Sequence, residues 1–212
     1  MEYRFSGKSG LQLPLVSLGL WHNFGSEDPF DVARAMLLHA WDKGVTHFDI
    51  ANNYGPAPGT AEMTFGRVLR EDLLAHRDEM IVSSKAGYWG WDGPYGNGGS
   101  RKYMIASCDQ SLKRTGLEYF DIFYSHRYDP QTPIEETMQA LVDIVRAGKA
   151  LYAGISNYPA DKQKECYDYL SAAHVPCVIS QYKASIAFPQ TLEENLPVAN
   201  ANGSGFICYS PL

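Results

Sequence analysis

The chain has 212 residues and a formal net charge of -6, with a sequence pI of about 5.5. A composition that is 45% hydrophobic and 20% charged excludes a disordered chain and fits one globular domain over residues 1–212. No basic run could track a phosphate backbone and no apolar run could span a bilayer, so neither nucleic acid nor membrane is an expected partner.

Residues 3 to 14 read as a β-hairpin: Tyr3-Arg4-Phe5, a Ser-Gly-Lys-Ser-Gly turn, then Leu11-Gln12-Leu13. The apolar run Leu15 to Leu20 predicts a first buried strand. Asp28 is placed to cap a helix with Pro29 in its first turn, and Gly44 ends that helix. Thr46 to Ile50 is the second strand, Ala61 to Glu71 a helix, and Met80 to Ser84 the third strand. Ser100 to Thr115 is a helix with Ile105, Cys108 and Leu112 on one face and Gly116 as its stop. Phe120 to Ser125 is a strand. Thr132-Pro133-Ile134-Glu135 reads as a capping box opening a helix that ends at Gly148. Then follow strand Tyr152 to Ser156, helix Pro159 to Ala173, strand Cys177 to Tyr182, helix Leu192 to Asn200 and strand Phe206 to Tyr209.

Repeated strand–helix alternation argues for an α/β protein with a parallel sheet. A doubly wound dinucleotide fold should carry GxGxxG after its first strand. Gly19-Leu20-Trp21-His22-Asn23 has no such pattern, and the glycines of Gly96 to Arg101 follow no strand. A (β/α)₈ TIM barrel is therefore preferred. The reading gives about seven barrel strands against the eight that closure needs. The expectation is a barrel truncated after its seventh strand, with two unpaired edges.

Asp49, Lys85 and His126 close three of these strands, and Tyr54 lies in the loop after Asp49. In a parallel barrel all strand ends face one way, so the four groups can converge. A phenol beside an ammonium becomes a better acid, because the cation stabilises the phenolate. Lys85 could supply that charge to Tyr54, and Asp49 could hold Lys85. His126 could donate a hydrogen bond to a carbonyl oxygen. Each residue alone has a plainer reading: a turn aspartate, a loop tyrosine, a lysine snorkelling at the rim, a core histidine. Their shared position favours a site that protonates a carbonyl oxygen. The four cysteines, Cys108, Cys166, Cys177 and Cys208, form no CxxC, so no metal site is expected and a reducing cytoplasm fits.

These motifs give the chain a resemblance. Phe48 to Gly55, Ser83-Ser84-Lys85, Tyr124-Ser125-His126-Arg127, Gly154-Ile155-Ser156-Asn157, Ser180-Gln181-Tyr182 and Tyr209-Ser210-Pro211-Leu212 occur in the order of the aldo-keto reductase superfamily. Gly19 to Gly25 and Thr132 to Thr137 look like its branch of bacterial glyceraldehyde-3-phosphate reductases and potassium-channel β-subunits. The resemblance implies NADPH-dependent reduction of small aldehydes, such as glyceraldehyde 3-phosphate or methylglyoxal. Tyr54 would be the general acid, Lys85 its partner, Asp49 the mate of Lys85, and His126 the orienting group. Ser156, Asn157 and Gln181 would meet the nicotinamide carboxamide. Tyr209 would stack on the ring, and Ser210, Pro211 and Leu212 would lead to the pyrophosphate. Asp49 and Trp21 would sit beside the cofactor. Trp21, Tyr54, Tyr88, Trp89 and His126 would wall the substrate, with Gly93 to Gly99 as lid or plain loop.

The family's clamp for the adenosine 2′-phosphate follows the eighth strand, and the sequence has no such segment. The choice of NADPH thus comes from the resemblance alone. A homo-oligomer is compatible with the branch. The competing expectation is a cofactor-sensing channel-subunit-like protein with weak catalysis, against which His126 argues, since those subunits carry Asn there.

Overall fold

A computed structural model describes residues 1–211. Strands β1 (Tyr3–Phe5) and β2 (Gln12–Pro14) pair antiparallel as the expected hairpin. The next seven strands are β3 (Leu18–Gly19), β4 (His47–Asp49), β5 (Ile81–Ala86), β6 (Phe120–Ser125), β7 (Ala150–Ser156), β8 (Cys177–Lys183) and β9 (Gly205–Tyr209). They form one all-parallel sheet in chain order. One α-helix follows each strand from β3 to β8: α1 (Phe30–Asp42), α2 (Thr60–Val68), α3 (Arg101–Thr115), α4 (Ile134–Arg146), α5 (Ala160–Ala172) and α6 (Gln190–Ala201). This is the α/β barrel architecture, with seven barrel strands among the described residues. The sheet curls far enough for Gln181 on β8 to donate to Asp49 on β4 at 3.0 Å.

Strand alternation creates two apolar layers. Phe48, Val82, Phe123 and Ala153 face outward into the helices. Ile81, Ile122, Tyr152, Ile179 and Ile207 form a second cluster with Leu11 and Leu13 of the hairpin. The hairpin therefore plugs the amino-terminal end of the barrel. Ser6 pins it there by donating to the Val178 carbonyl at 2.8 Å.

Several local expectations need correcting. The run from Leu15 yields only the two-residue β3, and Leu15 and Val16 are 48% and 59% exposed. They connect hairpin to barrel outside the sheet. Asp28 does not cap α1, whose N-cap is Pro29; its carboxylate instead accepts from the Gly25 amide. Nor does Thr132 form a capping box. The N-cap of α4 is Pro133, and the Thr132 hydroxyl donates to Asp129. Past Val68 the chain winds on through a π-helical turn, Leu69–Leu73, and a 3₁₀ stretch, Leu74–Glu79. The buried face of α3 is Tyr103, Met104, Ser107, Cys108, Ser111 and Thr115, while Ile105 and Leu112 only flank it. Ser100 does cap α3, accepting from the Tyr103 amide, and Gly116 ends it at φ 74°.

Candidate active site

β4 and β5 are in register with Asp49 opposite Ser83, and β5 and β6 with Lys85 opposite Tyr124. The period of two then sends Asp49, Ser83, Lys85 and Tyr124 to the barrel interior. Lys85 is fully buried. Its Nζ donates to Asp49 Oδ2 at 2.7 Å, to the Ile50 carbonyl at 2.7 Å and to Tyr54 Oη at 3.3 Å. All three protons of the ammonium are thereby directed. The snorkelling reading of Lys85 falls with this burial.

The loop after β4 delivers Tyr54. Its backbone is fixed at both ends of a turn, donating to Ala51 and accepting from Ala61 at the start of α2. The Tyr54 ring meets the His126 ring edge-on at 5.8 Å, and His126 meets Tyr88 at 4.7 Å. Tyr88 is held from behind: the Tyr103 hydroxyl donates to its carbonyl, and Asn52 donates to Tyr103 at 2.8 Å. Arg127 braces the same loop through the Gly87 carbonyl at 2.9 Å and Asn97 at 3.1 Å.

Burial and charge act against each other here. Burial, the largest single influence, would raise Asp49 and lower Lys85, but their mutual attraction, joined by His47 and Ser83 at Asp49 and by Tyr54 at Lys85, outweighs it. Asp49 therefore lies below the usual carboxylate range and Lys85 above its ordinary value. The pair is ionised. Burial pushes the Tyr54 phenol up, and Lys85 pulls it down without winning. The expected net lowering of Tyr54 is thus absent. The phenol keeps its proton at neutral pH, and Lys85 stands ready to stabilise the charge left when that proton departs. Burial drives His126 well down, and the Lys85 and Arg127 charges add to this. His126 is therefore a neutral donor or acceptor, not an acid. Its Nδ1 is buried without a partner, which leaves Nε2 to address a ligand.

A cleft of about 640 Å³ opens over these groups. Asp49, Tyr54, Tyr88, His126 and the half-exposed Trp21 line it, joined by Asn157, Gln181, Tyr209 and Ser210. Asn157 adopts a left-handed conformation, φ 57°. It donates to the His126 carbonyl at 3.1 Å and accepts from Tyr209 Oη at 2.9 Å. The cleft thus has a flat aromatic wall and amide groups at one end, above the acid–base cluster. Ser156 is fully buried beside it, with an unpartnered hydroxyl. Trp89 and Pro211 are exposed and do not line the cleft, against expectation; Tyr88 alone of the loop pair does. Leu212 lies outside the described residues. Sequence reading missed His22, Asn23, Asn53 and Met36, which also line the cleft. It also missed His47 and Ser83 beneath Asp49, although their two-residue spacing from Asp49 and Lys85 was a usable signal.

A barrel with this cluster at the carboxyl ends of its strands belongs to a recognisable class. The aldo/keto reductase family model matches residues 15–212, and the chain belongs to that family. The L-glyceraldehyde 3-phosphate reductase of Escherichia coli (strain K12) is 54% identical over 213 residues, covering 100% of this chain and 62% of that protein. Probable voltage-gated potassium channel β subunits of Oryza sativa subsp. japonica and Arabidopsis thaliana are 35% identical over 214 residues, covering 100% of this chain and 64% of theirs. The chain spans under two thirds of the length of these relatives. No helix of the described residues is long and apolar enough to cross a membrane.

Proposed function

We propose that residues 1–212 act as a single domain that reduces small aldehydes to alcohols with NADPH. Glyceraldehyde 3-phosphate and methylglyoxal are the first substrates to try, the former because a similar protein is named for it. The residues of the cleft fit the nicotinamide end of such a cofactor: Tyr209 offers a ring face, Asn157 and Gln181 offer amides, and Ser156 keeps an unused hydroxyl. When bound, the cofactor supplies the hydride equivalent.

The chain's own residues handle the proton and the placement. Tyr54 Oη gives its proton to the carbonyl oxygen as that oxygen gains negative charge. Lys85 then stabilises the phenolate, and Asp49 keeps Lys85 charged. Neutral His126 donates from Nε2 to the same oxygen and fixes the direction of approach. Trp21, Tyr88 and His126 wall the part of the cleft that takes the substrate. One observation carries the reading: Lys85 Nζ reaches Asp49 and Tyr54 together inside the cleft wall.

The test is Tyr54→Phe in the full chain, with NADPH binding followed by fluorescence and turnover by cofactor oxidation over an aldehyde panel. Turnover should fall by at least about 100-fold while cofactor affinity stays within about twofold. A variant keeping more than about a tenth of wild-type kcat would sink the acid role. A wild-type protein that binds NADPH but oxidises it with no aldehyde would favour the channel-subunit-like alternative. The free cysteines support a cytoplasmic setting. Light scattering on the full chain distinguishes monomer from homo-oligomer.

A further inference from the structure

Beneath the cluster lies a second line of polar groups, buried except at its partly exposed outer end, that the proposed chemistry does not use directly. Ser83 Oγ donates to Asp49 Oδ1 at 2.5 Å. His47 Nε2 lies 3.0 Å from Ser83 Oγ, and His47 Nδ1 lies 2.8 Å from Ser17 Oγ. His47 and Ser83 are fully buried.

The direction of every proton in this line is determined. An ionised carboxylate only accepts, so the single Ser83 proton must go to Asp49. Ser83 must then accept from His47, which places the ring proton on Nε2. Burial holds His47 neutral, at about 4, so Nδ1 carries a lone pair and Ser17 donates to it. The result is a polarised chain, Ser17 to His47 to Ser83 to Asp49, in which three successive donors point toward the Asp49 carboxylate that holds Lys85.

We infer that Ser83 and His47 are positioning residues for reduction: they occupy Asp49 Oδ1, so that Oδ2 alone faces Lys85 and the lysine stays within reach of Tyr54. The inference rests on the reductase reading. Without the Ser83 proton, Asp49 Oδ1 is an unmet acceptor in a buried site, and the Lys85 ammonium, already bonded to Oδ2 of the same carboxylate, is a donor that can turn to answer it. Lys85 then leans toward Asp49 and away from Tyr54. Gln181, the other donor to Oδ2, reaches it at 3.0 Å from β8 and is already engaged there. Besides Asp49, the titratable groups that bear on Tyr54 are Lys85, Tyr88, His126, Tyr124 and Tyr209, and only Lys85 favours loss of its proton. Its withdrawal moves the Tyr54 phenol upward.

The experiment compares Ser83→Ala, His47→Leu and His47→Gln in the full chain, with unfolding and NADPH binding as controls. Ser83→Ala should lower kcat about 10- to 100-fold, the worth of one hydrogen bond to a charged group. KM for the aldehyde should stay within about threefold, and the basic limb of the kcat–pH profile should move to higher pH. His47→Leu should do the same. Gln places an amide N–H where Nε2–H was, so His47→Gln should recover most of the rate that His47→Leu loses. A purely structural role would lower stability and leave the limb in place, and that result overturns the inference.

If Ser83→Ala does not fold, nitrogen chemical shifts of His47 in the wild type decide. A neutral Nε2–H tautomer from about pH 5 to about pH 9 supports the chain of donors, and an Nδ1–H tautomer or an imidazolium there overturns it. That measurement needs no turnover. It therefore separates a failed inference from a failed reductase reading, which would show as absent aldehyde-dependent NADPH oxidation in the wild type.

Discussion

Asp49→Asn isolates the energetics of the buried pair. Nζ of Lys85 and Oδ2 of Asp49 are 2.7 Å apart, with side-chain exposures of 0% and 10%. At an effective dielectric of about 20 their attraction is about 6 kcal/mol before desolvation of both ions offsets it. The substitution preserves shape and removes the charge. Lys85 keeps the Ile50 carbonyl and the Tyr54 hydroxyl, neither of which is ionised. Burial, outweighed in the wild type only by Asp49 and Tyr54 together, now dominates and drives Lys85 down. The folded variant can hold a bare ammonium, at a cost of about 3–5 kcal/mol. Alternatively it can release the proton. From an ordinary lysine value of 10.5, release costs about 5 kcal/mol at pH 7 and about 2 kcal/mol at pH 9.

The loss in unfolding free energy should therefore be about 3–5 kcal/mol at pH 7 and shrink to about 2 kcal/mol at pH 9. The sign follows from linkage. A lysine depressed in the folded variant binds fewer protons there than in the unfolded chain, so the variant gains stability as pH rises. In the wild type Lys85 is raised, and both states stay protonated through this range. Guanidinium melts of both proteins at the two pH values measure the difference. A loss below about 1 kcal/mol at pH 7, or an equal loss at both pH values, would show that the pair is not the buried ionic unit described.

Two further outcomes follow from other buried groups. His47 is pushed down to about 4 from an ordinary 6.5, so the unfolded chain binds its proton first. Stability should fall as pH drops through that window, by about 3 kcal/mol in all from this residue, and acid melts of His47→Gln should show the shallower slope. Glu62 is fully buried, accepts from Arg114 at 2.7 Å and from Ser84 at 2.7 Å, and ties α2 to α3 and β5. Glu62→Ala should cost about 3–5 kcal/mol by chemical denaturation, because Arg114 loses its counter-ion in a largely buried position.

The alternation of short apolar runs with amphipathic helices was enough to read the barrel, because buried parallel strands and their helices leave period signals in the sequence. Helix entries were harder. Asp28 and Thr132 stand where capping residues belong, yet a proline immediately after each becomes the N-cap, and the polar side chains turn back into the preceding loop. The hairpin was legible as a hairpin, but its place under the barrel depends on Leu11 and Leu13 meeting inward residues of five strands, a contact with no local signature.

The same division runs through the site. Asp49, Lys85 and His126 are legible because a charged or polar group at the end of an apolar strand is costly to bury and so informative. Tyr54 is legible only with its loop motif. Ser83 and His47 look unremarkable in sequence, since serine and histidine occur in many strands for no chemical reason. What changes their meaning is register: Asp49 opposite Ser83 puts a hydroxyl within 2.5 Å of a carboxylate that must stay charged. Once that pairing is fixed, each donor can satisfy only the next acceptor, and the proton order along the line follows from valence. The depth of the site is therefore set by strand pairing, which sequence periodicity constrains to a face but not to a partner.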